Sequence, residues 1–74
     1  MVDQVLDTKG LNCPIPIVKA KKALQGMDSG QVLEVLATDP GAVKDFEAFS
    51  RKTQNEILDW NEDDGVYTFH IKRV

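Results

Sequence analysis

The sequence predicts an α+β two-layer sandwich of order β-α-β-α-β-β, with a four-stranded mixed sheet carrying both helices on one face. Three observations predict it. Short apolar segments of strand character alternate with two stretches of helical periodicity. Each helical stretch lies between two strand-like segments, and right-handed crossovers then put both helices on one side of strands whose first members run parallel. The last segment, VYTFHIKRV, alternates cleanly, which fits a sheet with its other face in water.

The elements follow in order. VDQVLDT (2–8) reads as the first strand, ended by Lys9 and Gly10. A helix is expected from Pro14 to about Met27, with an apolar stripe of Ile17, Ala20, Leu24 and Met27 spaced three and four apart. QVLEVLAT (31–38) is a second strand, rich in Val and Leu and expected to be buried. DPG (39–41) signals a helix start, with Asp39 as cap and Pro40 at the first helical position. That helix runs to about Thr53 and places Phe46 and Phe49 on one side. EILDW (56–60) is a third strand, NEDDG (61–65) a turn, and 66–74 a fourth strand. Tyr67, Phe69 and Ile71 share one face of it, and Thr68, His70 and Lys72 the other.

Size and composition narrow the function classes. The 74 residues are expected to form one domain, 1–74, stabilised by its core alone. The single cysteine allows neither an internal disulfide nor a structural zinc site, and no metal centre is expected. Apolar residues make up 42% and charged residues 28%, ordinary values for a soluble globular chain. No apolar run is long enough for a membrane helix, and MVDQVLD has the features of no secretory signal. A lone thiol in such a chain leads us to expect the reducing cytoplasm.

The net charge of −3 is unevenly spread. Residues 8–27 hold Lys9, Lys19, Lys21 and Lys22 and no acid, whereas the other five basic and twelve acidic residues leave the rest of the chain at −7. The cysteine, Cys13, sits in this one positive island. Lysine runs usually do no more than solvate a helix face. The functional reading is that, around a thiol, such a positive field lowers the thiol's pKa and attracts an acidic partner.

Cys13 lies in LDTKGLNCPIPIVKAKKAL (6–24), directly before Pro14, Ile15 and Pro16. If the helix starts at Pro14, Cys13 is its N-cap and feels the free N–H groups and the positive end of the dipole. Such settings bring cysteine pKa values down to roughly 3.5–7.5. Pro14 holds the preceding residue extended, and the two prolines leave Ile15 as the early N–H donor. Pro16 in turn biases Ile15 away from helical angles, so a start at Pro16 stays open. Most lone cysteines are small buried hydrophobes. Against that stand the loop-to-helix junction, the lysines, and the turn-forming Gly10 and Asn12, which together favour a reactive thiol. The β1–α1 loop with Cys13 and the β2–α2 loop with Asp39 and Pro40 both leave carboxyl ends of parallel strands, and are expected on one sheet edge. Ile15 and Val18 fall off the apolar stripe, beside Lys19 and Lys22, and mark a docking surface together with Lys9.

The spacing Asp7, Gly10, Cys13, Pro14, Pro16, followed by ATDP (37–40) before the second helix, resembles the TusA (SirA-like) family of small sulfur-relay proteins over essentially the whole chain. The resemblance implies a sulfurtransferase that acts stoichiometrically, as a sulfur carrier. It implies sulfane sulfur held as a persulfide on Cys13, with Gly10, Pro14, Pro16 and Asp39 supporting the thiol and no resident cofactor. The implied partners are a protein donor, a cysteine desulfurase or rhodanese-like protein, and a protein acceptor, with no membrane and no direct nucleic-acid contact. Routes to tRNA thiolation, molybdenum-cofactor synthesis and sulfur oxidation are not distinguished.

Rival classes are weaker. A thiol–disulfide oxidoreductase normally needs a resolving cysteine, which the chain lacks. A cysteine hydrolase needs a paired histidine, and His70 is expected to face away from the helix layer. An RNA-binding module fits the topology and the lysines, but not a pI near 4.9 or the absence of aromatic residues from the basic patch. A regulatory interaction module, with Cys13 chemically unused, is the remaining alternative.

Overall fold

The computed structural model describes residues 2–12 and 14–74. Its elements are β1 (Gln4–Thr8), α1 (Ile15–Gln25), β2 (Val32–Ala37), α2 (Ala42–Thr53), β3 (Glu56–Asp63) and β4 (Val66–Lys72). The sheet order is β1-β2-β4-β3, with β1 parallel to β2 and the other two pairings antiparallel. This is the expected two-layer α+β arrangement, with α1 packed on β1 and β2, and α2 on β3.

Alternation decides what the sheet buries. Leu33, Val35 and Ala37 of β2 and Phe69 and Ile71 of β4 point to the helices and are fully buried, against Ala20, Leu24, Ala42, Phe46 and Phe49. The Phe46 and Phe69 rings lie 4.7 Å apart across the two layers. The expectation of a buried β2 holds on one face only. Val32, Glu34 and Leu36 alternate onto the open face and are half-buried, because no second layer covers the sheet there. Trp60, 43% exposed, packs at the sheet edge against Tyr67 and Phe69.

Both helix starts differ from expectation. The N-cap of α1 is Pro14, not Cys13, and Ile15 is the first helical residue. Pro16 then occupies the second helical position, where the missing N–H costs no intrahelical bond, so it neither delays nor breaks the helix. Cys13 itself lies outside the described residues. For α2 the N-cap is Gly41, not Asp39, and Pro40 precedes the helix. Asp39 acts one step earlier: its Oδ1 accepts the Gly41 N–H at 2.9 Å and its carbonyl accepts the Ala42 N–H at 2.9 Å. An aspartate bonding two residues ahead stabilises a turn instead of capping the helix. At its other end α1 stops at Gly26, and Met27 stays buried just beyond it.

The third strand is longer than expected. β3 runs to Asp63, and the turn is only Asp64-Gly65, both with positive φ (51° and 83°). A two-residue turn of this kind matches the twist of a hairpin. Pairing with β4 therefore recruits Asn61, Glu62 and Asp63, residues of poor strand propensity, onto an exposed edge. Among the described residues no helix is long and apolar enough to cross a membrane.

Candidate functional site

The parallel β1–β2 pairing brings Thr8 and Ala37, the last residues of the two strands, into register. The loops that follow therefore leave one sheet edge side by side, as expected. Thr8 and Thr38, which the sequence reading did not single out, join them. The buried Thr8 hydroxyl donates to the Leu36 carbonyl at 2.6 Å. The Thr38 Oγ1 accepts the Gly10 N–H at 2.9 Å, so the cysteine loop is tied to the Asp39 loop. Their signal was present but local: a threonine at the end of one parallel strand and just past the end of the other, each ahead of a Gly or Asp-Pro turn.

The turn into the cysteine loop is closed from Leu11 N–H to the Thr8 carbonyl at 3.2 Å, and the Lys9 N–H donates to Asp7 Oδ1 at 2.9 Å. Gly10 takes φ +82°, while the space where a Cβ would stand is empty. Backbone conformation, not crowding, thus calls for glycine there. The Lys9 ammonium lies 3.9 Å from the Asp7 carboxylate. Lys9 is therefore a weaker part of the positive island than its place in the sequence implied.

The prolines divide. Pro14 is exposed at the helix start, whereas Pro16 is fully buried and packs in the core. Both are expected to support the thiol, and of the two Pro16 also fills a place in the core. The Ile15 N–H, expected as the free early donor, donates to the Asn12 carbonyl at 3.0 Å. The first turn of α1 thus offers an anion less than the sequence reading allowed, and the lysines carry more of the local field.

The proposed docking residues of α1 share one face. Ile15, Val18, Lys19 and Lys22 follow helical spacing and are all exposed, with Ile15 at 45% and Val18 at 60%. His70 does lie on the opposite, open face of the sheet. It is more than a solvated histidine: Nε2 contacts Glu34 Oε1 at 3.0 Å and Nδ1 contacts Asp59 Oδ1 at 2.5 Å. These bonds, to Glu34 first and then to Asp59, raise its pKa above the usual 6.5. Bound on both nitrogens in mid-sheet, it is not available as a base for the loop edge. Among the described residues no cluster of His, Asp and Glu could hold a metal ion.

The two-layer α+β architecture is that of a SirA-like protein. A SirA-like protein from Desulfitobacterium hafniense superposes with a TM-score of 0.81 at 27% identity, covering 93% of this chain and 95% of that one. Residues 4–73 match the family described as sulfurtransferase TusA, and the chain belongs to that family. A protein of Allochromatium vinosum named sulfur carrier protein TusA is 58% identical over 71 residues, 96% of this chain and 93% of the relative. A more distant relative of the same name, from Pseudomonas putida, is 35% identical over 71 residues, 96% of this chain and 89% of its own.

Proposed function

We propose that the chain is a sulfur-relay carrier that holds sulfane sulfur as a persulfide on Cys13. The observation that carries this reading is the juxtaposition of the Gly10–Pro14 loop with the Thr38–Asp39 loop on one edge, in a member of the TusA family. The chemistry needs no cofactor. The Cys13 thiolate attacks the outer sulfur of a donor persulfide, R–S–SH. A new S–S bond forms on Cys13, the donor S–S bond breaks, and the donor leaves as a thiolate. An acceptor thiolate then attacks the outer sulfur of Cys13–S–SH and releases the Cys13 thiolate. Both steps are thiol–disulfide exchange, whose rate follows thiolate fraction and access. No separate base is required, in keeping with His70 being engaged elsewhere. The partners are a protein donor of the desulfurase or rhodanese type and a protein acceptor, in a reducing compartment.

Intact-mass measurement tests this. Incubation with a cysteine desulfurase and cysteine, or with inorganic polysulfide, should add one sulfur, removable by reductant and absent from Cys13→Ser. Reducible sulfur on Cys13→Ser, or none on the wild type from either source, overturns the reading.

A further inference from the structure

A groove of about 650 Å³ lies between the two helices, beginning at Pro14, the residue after Cys13. Pro14 at the N-cap of α1, Ile17 of α1, and Ala48 and Phe49 of α2 give it an apolar lining. Asp45, in the first turn of α2, lines it too, and Arg51 and Lys52, in the last turn, add a paired positive charge. Both helices start at the loop edge, so the groove runs from the cysteine loop toward the far end of the helix layer. From Asp45 to Lys52 it covers eight residues of helix, about 10 Å. An apolar trough of that length accepts a short segment of chain, and its positive far end selects the charge of that segment.

We propose that this groove docks the donor protein of the sulfur relay, through an acidic, apolar segment flanking the donor's own persulfide-bearing cysteine. The proposal rests on the carrier reading above and names the surface that reading lacks. Apolar side chains of the segment lie against Ile17, Ala48 and Phe49, and its carboxylates meet Arg51 and Lys52. The exposed face of Ile15, Val18, Lys19 and Lys22 continues the same apolar and basic character around α1. An acidic protein segment fits where a nucleic acid does not, because the groove has an apolar floor with no exposed ring for bases to stack on. The open sheet face is the wrong sign for the same partner, since Asp7, Glu34, Asp59 and Asp63 project there.

The test separates docking from sulfur chemistry. Full-length Cys13→Ser protein, which cannot react, is titrated against a cysteine desulfurase by calorimetry. The same is done with Ala48→Trp, which fills the groove, and with Arg51→Glu/Lys52→Glu, each made in the Cys13→Ser background. Ala48, Arg51 and Lys52 are exposed, so the fold should tolerate these changes, and circular dichroism checks that it does. Each groove variant should weaken binding at least fivefold. Raising salt from about 0.05 to about 0.5 M should weaken the parent complex and leave the charge-reversed one little changed. With Cys13 restored, both variants should take up sulfur from inorganic polysulfide at the wild-type rate. Unaltered desulfurase affinity in both variants overturns the groove proposal even if Cys13 loads normally. Failure of both polysulfide and the desulfurase to load Cys13, with groove-dependent binding intact, overturns the carrier reading instead.

Discussion

Replacing Glu34 by Gln should lower the pKa of His70 and remove stability at low pH, an effect that fades as the pH rises through the folded pKa of His70. A neutral imidazole carries one N–H, yet both ring nitrogens face a carboxylate oxygen, at 3.0 Å and 2.5 Å. Only the imidazolium donates to both, so the folded state holds the proton more tightly than the unfolded chain does. The sign follows from the raised pKa. The stabilisation is fully present below the unfolded value of about 6.5 and is lost as the pH rises through the folded value. Charge-assisted hydrogen bonds contribute about 1.5–3 kcal/mol. The His70 and Glu34 side chains are each 27% exposed, which lowers the expected loss in Glu34→Gln to about 1 kcal/mol at pH 6. In a domain of this size that is about 4–8 °C in Tm. By pH 9 the difference should shrink toward zero. His70 is the only histidine, so its imidazole proton resonance titrates without overlap from others, and thermal melts from pH 5 to 9 give the stability. A His70 that titrates at or below 6.5, or whose titration is unmoved by Glu34→Gln, refutes the two-carboxylate argument.

Two further outcomes concern the loop edge. Pro14→Ala should cost about 0.4–1 kcal/mol through the freer unfolded chain, while slowing sulfur uptake more than it lowers the denaturation midpoint. Pro16→Ala should reverse that order, with a stability loss of about 2 kcal/mol from the emptied core position; equal effects of the two substitutions would contradict their different burial. Thr38→Val removes the acceptor of the Gly10 N–H and should cost about 1 kcal/mol. It should also shift the pH profile of Cys13 alkylation, with Thr38→Ser restoring the profile, whereas an unchanged profile would mean that the tie between the loops does not reach the thiol.

Much of the fold was legible from short-range pattern. The order β-α-β-α-β-β, the buried stripe of α1 through Ala20 and Leu24, and the division of β4 into Phe69 and Ile71 against Thr68 and His70 all follow from periodicities of 3.6 and 2. The common edge of the two loops was legible too, because a crossover between parallel strands leaves no other place for them. The tertiary structure decided what depends on register and packing. The partners of His70 come from β2 and β3, thirty-six and eleven residues away, and no local signal joins them. Asn61–Asp63 became strand because β4 offered a ladder, and Pro16 became core because the sheet lies beneath it. The same holds for the grip of Thr38 on Gly10 and for the groove between α1 and α2. Local propensity acts over a few residues, whereas these contacts exist only once separate elements are held a hydrogen bond or a side chain apart.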